Sequence, residues 1–231
     1  AQALAEAEAT AAPPPPRVEP SAAGRQRVRL AIDDLDLVFV MDTTGSMRSE
    51  LRDLQASLIG MIGILSRLSP SLRIGFVAFR DRTDAYLTRT FPIAPIDDVS
   101  APRLVAFVNE LRAGGGGDIP EAVDEGLRVA TAMAWRDDVR RRIIVIGDAP
   151  VHAENHASTL ELVRRFRRSA AGGDRPRSVS AIVTGRTPAA QAFFRDLAEA
   201  GGGDFSVHQG QMIESVLLSV LPDARREAAG R

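Results

Sequence analysis

The segment 37–47, Leu-Val-Phe-Val-Met-Asp-Thr-Thr-Gly-Ser-Met, constrains this chain more than any other part of it. Its first five residues are apolar without interruption, which is typical of a strand buried on both faces of a sheet. The run ends at Asp42, and hydroxyl side chains follow at Thr44 and Ser46. Apolar residues then recur at helical spacing over 47–68. The segment therefore predicts a strand, an oxygen-rich loop and a helix.

The rest of the chain repeats this alternation of apolar strands and amphipathic helices. The predicted strands are 36–41, 72–79, 86–91, 143–146, 179–184 and 205–208. This order predicts an α/β fold with a mostly parallel central sheet of about six strands and helices on both faces. We expect 86–91 to pair with 72–79 through a hairpin, as an antiparallel edge strand that Pro92 and Pro95 end.

Oxygen donors collect in three loops of this predicted fold. The first loop holds Asp42, Thr44 and Ser46, the second holds Asp118 and Glu121 behind four glycines, and the third holds Asp148. In open α/β sheets, ligands bind in the crevice outside the carboxyl ends of the strands, where these loops would meet. Hard oxygen donors of this kind suit Mg²⁺, with Mn²⁺ or Ca²⁺ as alternatives. The pattern therefore predicts a divalent-metal site formed by all six residues.

Composition limits the partners and the domain organisation. The chain has 231 residues, of which 45% are hydrophobic, which suffices for one domain with a real core. We interpret residues 1–27 as a disordered Ala/Pro-rich tail, 28–221 as the folded domain and 222–231 as a second tail. A net charge of −1 and a pI near 6.4 give no general attraction to nucleic acid. No apolar run reaches the roughly 18 residues that a membrane span needs.

The first residue is Ala1 rather than methionine. We interpret this as removal of a secretory signal, which predicts export to a periplasm, a cell envelope or the medium. An engineered start of a cytoplasmic protein is the alternative.

Two segments of the sequence resemble a known family. Val-Met-Asp-Thr-Thr-Gly-Ser-Met and Ile-Gly-Asp-Ala-Pro are similar to segments of bacterial von Willebrand factor type A domains, and the similarity covers about residues 35–221. The resemblance implies a Rossmann-like three-layer α/β/α fold with a metal-ion-dependent adhesion site at its top. In that site, Asp42, Thr44, Ser46 and Asp148 would take the family's ligand positions.

The second loop departs from the commonest pattern of the family, which places a threonine after the glycines. Here the glycines lead to Asp118, and Gly-Asp-Ile-Pro-Glu is closer to a segment of integrin β-subunit domains in which the glutamate contacts the metal. By this resemblance Glu121 is a candidate direct ligand. Asp118 is a direct, water-mediated or adjacent-site ligand.

The resemblance implies a non-enzymatic, metal-dependent protein-binding module for adhesion or assembly. A partner's carboxylate would occupy an open coordination position on the cation. Two alternatives remain at this point. One is a metal-assisted hydrolase of phosphate esters, for which His152 is the one candidate base; the other is a domain in which the metal serves stability only. A P-loop is excluded because no Gly-Lys-Ser/Thr follows the glycines.

Overall fold

A computed structural model of the chain describes residues 34–117, 120–168 and 176–220. The two predicted tails, the first residues of the predicted domain and the candidate ligand Asp118 lie outside these residues. The strands are β1 Leu35–Asp42, β2 Leu72–Phe79, β3 Thr88–Pro95, β4 Arg140–Gly147, β5 Arg177–Val183 and β6 Gly202–Val207. The α-helices are α1 Arg48–Leu68, α2 Ser100–Glu110, α3 Val123–Thr131, α4 His156–Arg168, α5 Pro188–Gly201 and α6 Met212–Val220.

The strands form one six-stranded sheet in the order β3-β2-β1-β4-β5-β6. All neighbouring pairs are parallel except β2 and β3, which are antiparallel. The predicted mostly parallel sheet with one antiparallel edge strand is therefore confirmed. β1 lies between β2 and β4, and every one of its eight residues is buried. Burial on both faces explains why residues 37–41 are an unbroken apolar run rather than an alternating one.

Two apolar clusters fill the two faces of the sheet. One cluster joins the sheet to α1, α2 and α6, and the other joins it to α3, α4 and α5. The sheet with helices on both faces forms the three layers that the sequence predicts. Parallel strands need crossover helices, and those helices cover both faces so that apolar residues on either side of a strand are buried.

The edge strand β3 differs from its prediction. It continues through Pro92, so the expectation that this proline ends the strand is wrong, whereas Pro95 is its last residue as predicted. The register of β2 against β3 shifts between Ile74 and Phe76, where Pro92 and Ile93 of β3 oppose the single residue Gly75, so Pro92 lies in a bulge of β3. A proline is tolerated at a bulge or on a sheet edge because its missing N–H removes no bond from the interior of the sheet.

A charged network closes the end of the sheet where β1 begins. Asp36 is fully buried, and its carboxylate accepts hydrogen bonds from the guanidinium groups of Arg73 and Arg136. Burial opposes ionisation of this carboxyl, but the hydrogen bonds from Arg73 and Arg136 hold its pKa below the ordinary value. The buried aspartate near the start of β1, Asp36, is thus paired with two arginines, and Asp42 is the aspartate at the other end of the strand.

Candidate metal centre

The first loop places Asp42 and Thr44 side by side at the carboxyl end of β1. Both residues are buried. The backbone N–H and the hydroxyl of Thr44 donate to Oδ1 of Asp42, at 2.8 and 2.7 Å. The hydroxyl oxygens of Thr44 and Ser46 lie 3.4 Å apart, and Ser46 is exposed. The loop therefore presents a carboxylate and two hydroxyls from the interior of the molecule toward its surface.

Three loops meet around one small cavity of about 210 Å³. Its walls are formed by Thr44, Ser46, Gly116, Gly117, Glu121, Asp148 and Ala149. Four of these seven are residues that the sequence analysis selected as metal ligands, one or more from each loop. Asp42 lies directly behind Thr44 and also interacts with the carboxyl of Asp148. The structure thus brings together five of the six candidate ligands, and the sixth, Asp118, lies outside the described residues.

Backbone hydrogen bonds tie the glycine run of the second loop to the first loop. The N–H of Gly114 donates to the carbonyl of Thr43, and the N–H of Gly45 donates to the carbonyl of Gly115, each at 3.1 Å. Gly116 adopts a positive φ of 70°. A Cβ on Gly116 would lie 2.9 Å from Oε1 of Glu121 and 2.9 Å from Cβ of Thr44, so only glycine fits between these two side chains.

The third loop is attached to the second by Glu121. The N–H of Glu121 donates to the carbonyl of Pro150 at 3.0 Å, and Glu121 forms a parallel bridge with Val151. The loop after β5 supports Asp148 from the other side, because a Cβ on Gly185 would lie 2.0 Å from the carbonyl oxygen of Asp148. The position of Asp148 therefore depends on a glycine two residues beyond the end of β5.

Two carboxylate oxygens of the site are buried and have no hydrogen-bond partner within the described part of the chain. They are Oδ2 of Asp42 and Oε2 of Glu121. Asp42 is fully buried and Glu121 is only 4% exposed. An ionised carboxylate oxygen buried without a partner is costly, so the folded protein needs a proton or a cation there.

The pKa values of these two carboxyls are strongly raised. Burial, opposed by the bonds from Thr44 and reinforced by Asp148, raises the pKa of Asp42 to about 7. Burial and the charges of Asp42, Asp81, Asp148 and Asp84 raise the pKa of Glu121 to about 8. Burial is the main cause of both raised pKa values and neighbouring carboxylates add to it; a divalent cation bound beside the carboxylates would favour their ionised forms.

The donor set fits a hard cation rather than a soft one. Every side chain on the cavity wall that carries a donor atom offers oxygen, from two hydroxyls and two carboxylates. Within the described part of the chain, no three His, Cys, Asp or Glu side chains come together as a metal site by themselves. Any cation here would therefore depend on the hydroxyls of Thr44 and Ser46 as well as on carboxylates.

The sequence analysis missed two residues that hold this site. Asp84 follows β2, and its carboxylate accepts a hydrogen bond from the N–H of Gly116 at 3.0 Å. Asp81, which is buried, lies 3.1 Å from Nε2 of His152. His152 therefore packs against Asp81 and is not among the residues of the cavity wall. The sequence signal was the acid pair in Asp-Arg-Thr-Asp at 81–84, between the predicted strands 72–79 and 86–91.

An α/β/α domain with an oxygen-lined cleft at the carboxyl ends of its strands is the class that this fold and site define. The family model for the von Willebrand factor A domain matches residues 36–209. The chain therefore belongs to the von Willebrand factor A domain family, as its motifs predict.

Two curated relatives match part of the chain. The alpha-protein kinase vwkA of Dictyostelium discoideum is 33% identical over 135 residues, which are 57% of this chain and 21% of that protein. A putative ariadne-like RING finger protein of Acanthamoeba polyphaga mimivirus is 36% identical over 126 residues, which are 53% of this chain and 12% of that protein. The chain thus spans only a small part of the length of these relatives.

Solved structures share the fold at low sequence identity. The pilus adhesin SpaC from Lactobacillus rhamnosus GG matches 81% of this chain and 29% of its own, with a TM-score of 0.58 and 12% identity. A von Willebrand factor type A protein from Catenulispora acidiphila matches 78% and 39%, with a TM-score of 0.56 and 16% identity. The conserved hypothetical protein BatB from Bacteroides thetaiotaomicron matches 80% and 95%, with a TM-score of 0.58 and 16% identity.

No helix in the described residues is long and apolar enough to cross a membrane.

Proposed function

We propose that this domain is a non-enzymatic, divalent-metal-dependent protein-binding module of the adhesion or assembly type. Asp42, Thr44, Ser46, Glu121 and Asp148 would hold Mg²⁺, with Mn²⁺ or Ca²⁺ as substitutes. Asp118 remains a candidate ligand from the second loop. When bound, the cation would offer a coordination position to an acidic group of the partner.

The observation that carries this proposal is the pair of orphaned carboxylate oxygens. Oδ2 of Asp42 and Oε2 of Glu121 are buried, and no residue that the structure describes donates a hydrogen bond to either of them. The hydroxyls of Thr44 and Ser46 are the neighbouring donors. The hydroxyl of Thr44 already donates its proton to Oδ1 of Asp42. A hard cation binds oxygen atoms that have free lone pairs. Buried carboxylate oxygens without a hydrogen-bond donor, together with the hydroxyls in the same cavity wall, provide such atoms.

In this proposal the carboxylate, the hydroxyls and the exposed Ser46 have different roles. Asp42 is fixed by Thr44, so its free oxygen keeps one direction. The hydroxyls are neutral and would hold the ion without cancelling its charge. The exposed Ser46 leaves the site open to a partner's carboxylate. A contact of this kind makes binding dependent on the metal, while the surrounding surface sets its strength.

Two observations favour binding over hydrolysis of phosphate esters. His152, the one base that the sequence offered, lies against Asp81 rather than on the cavity wall. The described residues of the cavity wall also include no histidine, lysine or cysteine that could act as an activated nucleophile or as its base. The description of SpaC as a pilus adhesin agrees with a binding role for the shared fold.

Isothermal titration with Mg²⁺ tests the proposal directly. We expect the wild-type protein to take up one Mg²⁺ and the Asp42→Ala variant to take up none while it remains folded. Asp98→Ala removes an exposed acid that follows β3 at the other end of the sheet and serves as the matched control. Unchanged uptake by Asp42→Ala would refute the proposal.

A second experiment separates binding from a purely stabilising metal. EDTA should abolish capture of a partner from the source cell at a temperature at which the protein is still folded by circular dichroism. Capture that survives EDTA, with only a lowered melting temperature, would assign the metal to stability alone. A phosphatase screen with and without Mg²⁺ would detect hydrolysis.

A further inference from the structure

The side chain of Arg80 connects the first loop of the candidate metal centre to the second. Arg80 directly follows β2 and is only 9% exposed. Its Nε donates to the carbonyl of Thr43 at 3.2 Å, and its Nη2 donates to the carbonyl of Arg112 at 2.5 Å. Thr43 lies between the candidate ligands Asp42 and Thr44, and Arg112 precedes the glycine run of the second loop. One guanidinium group therefore holds together two loops that come from distant parts of the chain.

Thr43 is the residue on which these contacts converge. Its carbonyl accepts hydrogen bonds from Arg80 and from the N–H of Gly114, so both of its lone pairs are used. Its hydroxyl lies 2.8 Å from the carbonyl of Phe79 and 2.8 Å from the hydroxyl of Tyr86. A carbonyl can only accept, so the hydroxyl of Thr43 donates to Phe79 and the hydroxyl of Tyr86 donates to Thr43. The backbone and the side chain of Thr43 are thus both fixed, between two candidate ligands.

The guanidinium group of Arg80 is itself held in place by packing. Its Cζ lies 4.3 Å from the centroid of the Tyr86 ring, a distance at which a cation and the face of an aromatic ring attract each other. A Cβ on Gly114 would lie 3.6 Å from Nη2 of Arg80, which is ordinary van der Waals contact. The group therefore contacts an aromatic ring and the backbone of the second loop, in addition to its hydrogen bonds.

The partners of Arg80 leave the carboxylates of the site available. Among the residues that the structure describes, its guanidinium group donates to backbone carbonyls and not to carboxylates. A salt bridge to Asp42 or Glu121 would occupy an oxygen that the proposed cation needs, whereas Oδ2 of Asp42 and Oε2 of Glu121 accept no hydrogen bond from the described residues. Arg80 thus contributes to the arrangement of the loops without competing for the acids.

We propose that Arg80 is a positioning residue for the metal centre, which holds the first loop at a fixed distance from the second and so determines which cation the site prefers. This inference rests on the proposed function, because it concerns the same site. Gly116 of the second loop fits between Thr44 and Glu121, so a shift of one loop against the other would alter the separation of these two candidate ligands. Mg²⁺ demands near-ideal octahedral geometry, whereas Ca²⁺ accepts a larger and more flexible shell. A fixed separation therefore favours Mg²⁺, and a loose one favours Ca²⁺.

Isothermal titration of the full chain with Mg²⁺ and with Ca²⁺ tests this inference. Arg80→Met keeps an apolar stem and removes both hydrogen bonds. We expect its Mg²⁺ affinity to fall by about 10- to 100-fold and its Ca²⁺ affinity to fall several-fold less. Loss of a positive charge would by itself strengthen the binding of either cation, so weaker binding reports the position of the loops rather than the charge. A merely structural role would lower the stability of the domain without changing the preference between the two ions.

Two milder variants test the separate contacts of Arg80. Arg80→Lys keeps the charge but offers one nitrogen in place of the two that donate here, so we expect its ion preference to resemble that of Arg80→Met. Tyr86→Phe keeps the ring and removes the hydroxyl that donates to Thr43, and it should shift the preference toward Ca²⁺ to a smaller extent. These two variants decide the question if circular dichroism shows that Arg80→Met is unfolded.

Arg89→Met is the matched control. Arg89 lies on β3, with its guanidinium group 5.7 Å from the ring centroid of Phe107 and 3.7 Å from the carboxylate of Glu110. The variant therefore also removes an arginine and its aromatic contact from the β2–β3 hairpin. It should bind neither ion more weakly than the wild type, and it should keep the ion preference of the wild type.

The outcomes separate this inference from the function on which it rests. If the wild type takes up no Mg²⁺, the proposed function fails and this inference fails with it. If the wild type takes up Mg²⁺ and a folded Arg80 variant binds it equally well or more tightly, only this inference is overturned. Equal losses of affinity for Mg²⁺ and Ca²⁺, or the ion preference of the wild type in Arg80→Lys, would overturn it as well.

Discussion

The hydroxyl of Thr44 donates a hydrogen bond to Oδ1 of Asp42 at 2.7 Å, and this bond determines which oxygen of the carboxylate stays free. The backbone N–H of Thr44 reinforces it from 2.8 Å. Oδ1 thus accepts two hydrogen bonds, whereas Oδ2 accepts none from the residues that the structure describes. One residue thus orients a buried carboxylate and adds a hydroxyl of its own to the cavity wall.

Replacement of Thr44 should therefore weaken cation binding. We expect Thr44→Val, which keeps the side-chain shape but removes the hydroxyl, to lower Mg²⁺ affinity by about 10- to 100-fold. Thr44→Ser restores the hydroxyl and should recover most of the affinity. Isothermal titration measures both, and equal affinities of Thr44→Val and wild type would show that this hydroxyl takes no part.

The raised pKa values predict opposite pH trends without and with metal. The ordinary values of Asp42 and Glu121 are 3.8 and 4.5, and the folded protein raises their pKa to about 7 and about 8. The folded state thus favours the protonated forms, and this contribution to stability is complete below about pH 4 and is lost as pH rises through 7 and 8. In EDTA, the melting temperature should fall from pH 5 to pH 8.5 on this account. The increase in melting temperature that Mg²⁺ produces should grow over the same range, because the cation binds the deprotonated carboxylates.

The Asp42→Asn variant provides the control for the pH trend. An asparagine keeps an oxygen for the bonds from Thr44 and removes the buried charge. In EDTA at pH 8 we expect it to be more stable than wild type, with a flatter dependence on pH, and to gain little from Mg²⁺. A Mg²⁺ effect on wild type that is the same at pH 5 and pH 8.5 would contradict this explanation.

Gly185 should be intolerant of any side chain. In Gly185→Ala the new Cβ would lie 2.0 Å from the carbonyl oxygen of Asp148, so the backbone of one loop has to shift. We expect a loss of about 1–3 kcal/mol in the free energy of unfolding, together with weaker Mg²⁺ uptake. Urea denaturation and titration measure the two effects, and an unaltered affinity would show that Asp148 keeps its place despite the shift.

Two glycines in the middle of α1 should behave in the opposite way. Gly60 and Gly63 are exposed, and a Cβ at either position would meet no atom within 4 Å. Replacement by alanine should stabilise the protein by about 0.5–1 kcal/mol per site, because glycine is a poor helix former. Urea denaturation of Gly60→Ala and Gly63→Ala tests this, and their Mg²⁺ uptake should match that of wild type.

The other end of β1 offers a variant that harms stability but not the site. Asp36→Ala leaves Arg73 and Arg136 without their buried partner, and we expect the free energy of unfolding to fall by about 3 kcal/mol. Mg²⁺ affinity, measured below the melting temperature, should not change. A parallel loss of affinity would mean that the strand transmits the disturbance along its length.

The sequence alone predicts most of the fold, because its signal is local and repeated. The apolar run before Asp42 and the run before Asp148 are both central strands, and β2 has the bounds that its alternation predicts. The convergence of Asp42 and Asp148 follows from a general property of parallel sheets, whose strands all end at one edge. Asp42, Thr44, Ser46 and Asp148 could be brought together on that basis, whereas Glu121 follows no strand and lies between α2 and α3.

The contacts that support the site could not be predicted from local sequence patterns. Asp84 reaches Gly116 from 32 residues away, and Gly185 fits against Asp148 from the next strand, so no local pattern indicates either contact. The same limitation explains the error at Pro92. A proline usually ends a strand, and the bulge that accommodates it depends on pairing with β2, which the sequence of β3 does not contain.

The prolines of β3 also affect how copies of this protein behave toward each other. An exposed edge strand is a template onto which a neighbouring chain can add a strand of its own, and such growth leads to aggregation. At Pro92 and Pro95 that template lacks backbone donors, and the bulge at Pro92 and Ile93 interrupts the regular pairing of the edge strand. Many copies can therefore be crowded side by side without joining their sheets along this edge.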